Sequence, residues 1–462
     1  MKKFINRKSE LTFLNEQYKM ESSSMVILYG RRRIGKTSLI NEFIKDKPNL
    51  FFLASEESEE ENMKEFRREL HHFSGDSLMS NIEIDNWDIL FNAMSRYISS
   101  EKMILVIDEF QYLGKTNKAF PSIFQRIWEK NLKQQNIMVI LCGSLVRMME
   151  EQTLNYNSPL YGRRTGQIKL QQIQFDHYND FIPQTTFKEQ VEFFAVTGGV
   201  PKYIELFDGT DNIYNQINRL ILDKQSLLFE EPRFLLQNEV KEIGSYFSVI
   251  KSIAAGNQKL SKICTDLQVK QTNMSTYLRT LIDLDILMRD VPITEKDPSS
   301  SKMGLYRIKD NFIKFWFQFV YPEKSRLERG DTTYVEQKIR QNFIDNHVSY
   351  VYEDICQQKM WSLVKGKNLP INKIGRWWNG NNEIDIVGIN TLGNEIIFGE
   401  CKYRSNPIDA AVFFELSKKK EQVLWNKADR KEFFVLCSIS GYTQDLVELA
   451  RNRGDLILMT HQ

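Results

Sequence analysis

Residues 30–37 read GRRRIGKT, and this spacing of two glycines, a lysine and a hydroxyl is suited to holding a chain of phosphates. The backbone amides of Gly30, Arg31, Arg32, Arg33, Ile34, Gly35, Lys36, Thr37 and Ser38 are expected to wrap a triphosphate at a helix N-terminus, where the helix dipole also favours anions. Lys36 is placed to reach the β- and γ-phosphates, and Thr37 to hold Mg²⁺. ATP and Mg²⁺ are therefore the expected cofactors. Downstream, KMILVIDEF (residues 102–110) is an apolar run that ends in two acids. Asp108 is expected on the Mg²⁺ shell, with Glu109 beside it to polarise the attacking water. NIMVILCGS (136–144) ends in Ser144, which either senses the γ-phosphate and water or caps a helix. Arg163, within SPLYGRRTGQIKL (158–170), either stabilises transition-state charge or pairs with a surface acid. It would act in cis or on a neighbouring subunit, and the second case requires nucleotide-dependent self-association.

A second constellation lies near the C-terminus. EIDIVGI (383–389) and EIIFGECK (395–402) flank the turn TLG, the signal of a β-hairpin. A turn centred near Leu392 sets Asp385 roughly opposite Gly399 and Glu400, where cross-strand neighbours lie ~5 Å apart. Glu400 and Lys402 are two residues apart and share a face with Ile396 and Phe398. An acid and an ammonium on an apolar face are costly unless they pair or bind a metal. Asp385 and Glu400 holding a divalent cation, with Lys402 orienting water and offsetting phosphate charge, form the set a phosphodiesterase needs. A buried Glu–Lys pair with a capping Asp on a noncatalytic fold would use the same residues. The expected partner is nucleic acid, DNA foremost.

The phosphate loop requires a strand before it and a helix after it. Residues 25–29 (MVILY) form an apolar run of strand length, and residues 38–44 carry apolar side chains at helical spacing. The runs at 102–110 and 136–144 read as buried parallel strands, whose carboxyl ends are where ligands bind. Residues 190–240 read as amphipathic helices suited to a lid. From residue 246, three helical patterns with a brief turn at Val269 lead into the strand-like pieces ILMRDV and LYRIKD. Helix–helix–turn–helix–wing predicts a winged helix. Its third helix opens QTNMST, with small polar side chains suited to base edges. Residues 259–310 nearly balance in charge, however, whereas phosphate contacts favour a Lys/Arg excess.

In order along the chain, FINRKSEL (4–11), the phosphate loop, IDEF, CGS, PLYGRR and TGGVPKYI resemble the archaeal-type ATPases of the STAND branch near AAA+. The resemblance spans about the first 210 residues. It implies that an N-terminal box and the glycine–proline motif of a helical lid flank the adenine, so that Arg7 and Pro201 contact nucleotide. Asn6 departs from such boxes, which usually carry glycine there. In this class winged helices also serve as rigid spacers. The last third resembles the restriction-endonuclease-like superfamily, found in the C-terminal domain that accompanies ATPases of this type. That resemblance implies a further helical acid at the metal, which YEDI supplies as Glu353. Trp377 and Trp378, just before the first strand, fit its GRWW-like lead-in.

At 462 residues the chain is too long for one core and should form roughly three domains or more. The expected architecture is α/β and multidomain. A P-loop ATPase core with a parallel sheet covers 1–175, a helical lid 176–240, a winged helix-turn-helix 241–320 and a mixed α/β nuclease-like domain 321–462. Hydrophobic residues at 42% and charged residues at 26% describe an ordinary soluble protein. No run reaches the ~20 apolar residues of a membrane span, and MKKFINRKSE lacks the apolar stretch of a signal peptide. Five cysteines are scattered and odd in number, and no CxxC or Cys/His cluster suggests zinc, so a cytoplasmic location is expected. The histidines suggest no site of their own. A net charge of +2 argues neither for nor against nucleic acid. Two functional readings result: an ATP-gated nucleic-acid-processing enzyme, or an ATP-dependent regulatory protein whose nuclease-like domain only holds DNA or a partner.

Overall fold

The apolar runs that precede the phosphate loop, the paired acids and Ser144 all become strands. The structure, a computed structural model, describes residues 4–76 and 86–460. They divide into two compact units. Unit 1 comprises Met1–Asp180, Val200–Lys202 and Leu235–Lys241, and unit 2 comprises Phe181–Gly199, Tyr203–Phe234 and Glu242–Gln462.

Unit 1 holds a five-stranded sheet of β1 (Ser24–Tyr29), β2 (Asn49–Leu53), β3 (Met103–Asp108), β4 (Ile137–Gly143) and β5 (Gly166–Lys169), in the order β2-β3-β4-β1-β5. Every pairing is parallel. Each residue of β1, β3 and β4 is buried, as expected of strands covered by helices on both faces. Burying each of their Val, Leu and Ile side chains contributes ~1.5–3 kcal/mol. Because β3, β4 and β1 are adjacent and parallel, their carboxyl ends lie side by side. The phosphate loop, Asp108–Glu109 and Ser144 therefore all leave one edge of the sheet. The helix Lys36–Ile44 follows the loop directly and buries Leu39, Ile40, Phe43 and Ile44.

Unit 2 contains the three expected helices, Ile243–Ala254, Leu260–Leu267 and Gln271–Asp283. They are followed by an antiparallel ribbon of β6 (Leu287–Asp290) and β7 (Leu305–Ile308). Its second sheet is mixed and consists of β8 (Lys373–Asn379), β9 (Asn382–Ile389), β10 (Glu395–Lys402), β11 (Lys431–Ser438) and β12 (Leu456–Met459). The order is β12-β11-β10-β9-β8. The β9–β10 hairpin is antiparallel with Gly399 opposite Ile386, and β10 runs parallel to β11. Ile396, Phe398 and Leu436 pack in one apolar cluster with Val412, Phe413 and Leu416 from the helix Ala410–Lys419.

One element differs from the sequence reading. Trp377 and Trp378 lie inside β8, paired with Ile384 and Glu383, and not in a lead-in before the first strand. A register shift between Gly375 and Trp377 interrupts the period-two alternation on which strand recognition depends. Among the described residues no helix is long and apolar enough to cross a membrane.

Candidate functional site

In unit 1 the loop geometry follows from its glycines. A Cβ at Gly30 would stand 2.7 Å from the Leu170 carbonyl oxygen, and Gly35 has φ 93°. Neither position suits a side chain. Lys36 is buried, and its ammonium donates to the carbonyls of Gly30 (2.9 Å) and Arg31 (3.1 Å). Burial pushes its pKa below the usual range, against the pull of nearby groups that include Glu109 and Asp108. A desolvated ammonium held by neutral carbonyls inside a ring of loop amides fits an anionic phosphate chain. Thr37 Oγ1 donates to Asp108 Oδ2 at 3.2 Å, which brings together two hard oxygens of the kind Mg²⁺ takes.

Glu109 has φ 54°, a left-handed backbone that costs a non-glycine residue of order 1–3 kcal/mol and is concentrated at functional sites. Its Oε2 accepts from Ser144 Oγ at 2.7 Å, from the Ser144 amide at 3.2 Å and from Gln111 Nε2. Ser144 thus touches the acid beside it at the neighbouring strand end. The sequence alone left this residue between a sensor and a helix cap. Gln111 is a member of the cluster that the sequence reading missed, although its place two residues after IDEF was the available signal.

Arg7 is buried and donates to the Ile34 carbonyl (3.1 Å), the Gln171 carbonyl (2.7 Å) and Glu10 (3.1 Å), which ties the N-terminal box to the phosphate loop. Asn6 and Arg7 have φ of 63° and 69°. Glycine suits such a position, and Asn is among the side chains that tolerate it. Arg32 donates to the Tyr112 hydroxyl at 2.9 Å. Pro201 Cγ lies 3.7 Å from where a Cβ of Gly35 would be, so the glycine–proline motif does reach the loop. Glu239, also missed from sequence, accepts from the Val146 amide at 3.0 Å just past Ser144, and burial pushes its carboxyl up to about 7. Arg163 stands apart from this cluster in its bonding, paired with Glu129 at 3.3 Å and with its own Tyr161 carbonyl. That is the surface-pair alternative.

In unit 2 the hairpin brings Asp385, Glu400 and Lys402 to one end of β9 and β10. Asp385 and Glu400 are buried, and Asp385 Oδ2 accepts from the Cys401 amide at 2.8 Å. Glu400 accepts from Lys402 at 2.8 Å and from Lys419 at 3.0 and 3.1 Å. Lys419 is the second cation that sequence reading missed. Burial, followed by the charges of Glu353 and Glu400, pushes Asp385 up to about 8. Burial lowers Lys402, but Glu400 and Asp385 outweigh it and hold its ammonium above the usual value.

Glu353 is near enough to perturb Asp385, yet its carboxylate pairs with Arg376, which also bonds Asp354 at 3.0 Å. Among the described residues, the group of His, Cys, Asp or Glu ligand atoms lying within 4.8 Å of one another is the thiol trio Cys356, Cys401 and Cys437. The three acids are thus not gathered as tightly, as like charges require without a cation between them. Carboxylates with an adjacent lysine at a strand end fit a divalent cation by donor type.

Two stretches of the chain match known families. Residues 4–207 match a family described as an ATPase domain predominantly from Archaea. Residues 316–423 match a family described as "Archaea bacterial proteins of unknown function". An uncharacterized protein of Methanocaldococcus jannaschii is 34% identical over 405 residues, covering 87% of this chain and 88% of its own length. An uncharacterized ATP-binding protein of the same organism is 50% identical over 44 residues, covering 10% of this chain and 75% of its own. Among solved structures, the Walker-type ATPase of Pyrococcus abyssi superposes with a TM-score of 0.52 at 19% identity. It covers 68% of this chain and 96% of that one, and at such identity the likeness is one of fold.

Proposed function

We propose that this chain, which belongs to the family of ATPases found predominantly in Archaea, links ATP hydrolysis in unit 1 to metal-dependent phosphodiester cleavage of nucleic acid in unit 2. In unit 1 Lys36 and the loop amides hold the β- and γ-phosphates, and Thr37 and Asp108 hold Mg²⁺. Glu109, fixed by Ser144 and Gln111, takes the proton of the attacking water as it adds to the γ-phosphorus. Arg7 acts on the loop through the Ile34 carbonyl, and Pro201 closes over Gly35.

In unit 2 Asp385 and Glu400 are the cation ligands, with Glu353 joining them on release from Arg376, and Lys402 steers water and phosphate. In each site a bound divalent cation supplies neutralisation of phosphate oxygens and a water of lowered pKa. The finer domain division follows this reading, with a helical lid at 176–240, a winged helix at 241–320 and a restriction-endonuclease-like domain at 321–462. Three helices followed by a β-ribbon support the second of these assignments. The observation that carries the nuclease reading is the meeting of Asp385, Glu400 and Lys402 at one end of the β9–β10 hairpin.

A second reading, a nuclease-like domain that binds nucleic acid or a partner without cutting, is favoured by one specific feature. Glu400 is already neutralised by two lysines, and Glu353 by Arg376. Titrating Mn²⁺ calorimetrically into the full-length chain separates the two, with Asp108→Asn as background to silence unit 1. The proposal expects binding that disappears with Asp385→Asn. Equal heats from both proteins would leave the noncatalytic reading.

A further inference from the structure

A cavity of about 500 Å³ lies within unit 2, and Asp385 forms part of its wall. Its lining includes Arg307, Lys314, Tyr350, Arg376 and Trp377. The two arginines are held in ion pairs, with Arg376 Nε left without a hydrogen-bond partner among the described residues. Arg307 bonds Asp290 and Asp354, and Arg376 bonds Glu353 and Asp354. Lys314 is different. Its ammonium sits over the Tyr350 ring, 4.7 Å from the centroid, and makes no ion pair with a carboxylate among the described residues. Asp354 and Glu353 act on it only from a distance, each already paired with arginine, and burial still pushes its pKa down to about 8, so an anion delivered to the cavity would relieve the cost of its burial.

The volume lies within the ~300–1,000 Å³ range of small-molecule sites. It admits one nucleotide and excludes a duplex. The cavity wall also supplies an exposed aromatic ring, Tyr350, and bases stack on such rings irrespective of sequence. The cation, the ring and the acid of the candidate cutting site thus face one space.

We propose that this cavity binds a single phosphorylated nucleotide unit, with the phosphate on Lys314 and the base against Tyr350. Two sources share this chemistry: the unpaired end of a nucleic-acid strand, and a free nucleotide. Binding requires no catalysis. Only the further step, presentation of the phosphodiester to Asp385, rests on the nuclease reading above.

The test uses full-length protein in a Lys36→Ala background, so that the phosphate loop contributes nothing, and EDTA to exclude metal. Calorimetry or intrinsic tryptophan fluorescence would follow titration with thymidine monophosphate, thymidine, a 5′-phosphorylated single-stranded decamer and a blunt duplex. The monophosphate and the single strand should bind, whereas thymidine and the duplex should bind at least tenfold more weakly. Lys314→Met should weaken phosphate-dependent binding about tenfold to a hundredfold, and Lys314→Arg should restore most of it. Tighter binding of the decamer than of the monophosphate would identify a strand end as the occupant, and the reverse a free nucleotide. A wild type that binds thymidine monophosphate but never cuts removes the nuclease reading and keeps this site. Equal binding by wild type and Lys314→Met, or equal binding of thymidine and its monophosphate, would overturn the proposal even if the enzyme cuts DNA.

Discussion

The two carboxylate clusters of this chain occupy similar places and are satisfied in opposite ways. In unit 1, Asp108 and Glu109 leave the end of a parallel strand and are held by neutral donors: Thr37, Ser144, Gln111 and a backbone amide. The lysine of that site bonds the carbonyls of its own loop and leaves the acids alone. In unit 2, Glu400 is bonded by two ammonium groups, and Asp385 lies under burial and like charge that push its carboxyl up to about 8. Neutral donors orient a carboxylate without pairing it with an opposite charge. Lysine partners neutralise Glu400, so the cation proposed for unit 2 would have to displace a lysine or a proton.

The largest effect expected from this contrast is in unit 1. Glu109→Gln keeps the shape but loses the basicity, so it should bind ATP normally and lose turnover by a factor of about 10²–10⁴. Lys36→Ala should instead lose ATP binding. Equilibrium binding of a labelled ATP analogue beside steady-state hydrolysis distinguishes them, and wild-type turnover by Glu109→Gln would remove Glu109 from its role.

The next effect divides the two lysines on Glu400. Lys402→Met should reduce cleavage about a hundredfold or more with metal affinity retained, because its work is on water and phosphate. Lys419→Met should keep more than a tenth of the cleavage and lose about 1 kcal/mol of stability, since Glu400 retains one charged partner. Denaturant midpoints beside cleavage rates would show whether the two lysines are separable. Identical behaviour would collapse them into one structural pair.

A smaller effect is in pH, with opposite signs in the two units. Glu239 in unit 1 is raised to about 7 from an ordinary 4.5, so its folded state favours the protonated form. That contribution is complete below about pH 4.5 and is lost as pH rises to about 7. Glu239→Gln should therefore raise the melting temperature at pH 8 and leave it unchanged at pH 4.5, by an amount equivalent to about 1–2 kcal/mol. His347 in unit 2 is buried with Nε2 against the Ala195 carbonyl, and burial lowers its pKa to about 3. Its contribution is complete above about pH 6.5 and is lost as pH falls from there toward 3. Protection from hydrogen exchange in the segment around His347 should accordingly fall as pH drops below about 6.5.

Much of this was legible in the sequence, for reasons that vary by element. GRRRIGKT, IDEF and CGS carry their own flanking strands, so both the chemistry and its placement could be read locally. Asp385 and Glu400 were legible because one short turn sets the hairpin register. Lys419 was not, because a lysine in the KKK end of a helix looks like a solvated terminus until the helix is seen packed against β10. Gln111 and Glu239 were hidden for a related reason: each depends on a contact across strand ends or on the return of a distant segment, Leu235–Lys241. Arg163 shows the converse. Its motif suggested chemistry, and its neighbour Glu129 engages it on the surface.

The central claim, that unit 2 is a cutting site with the ligands named, is tested most directly by cleavage of plasmid and single-stranded DNA. The assay would compare full-length wild type, Asp385→Asn and Glu109→Gln, with Mg²⁺ or Mn²⁺ and with and without ATP. The account predicts cleavage by wild type, loss of at least a hundredfold in Asp385→Asn, and cleavage altered but present in Glu109→Gln, where the ATP-bound state persists. No cleavage by a wild type that hydrolyses ATP, or equal cleavage by Asp385→Asn, would contradict it.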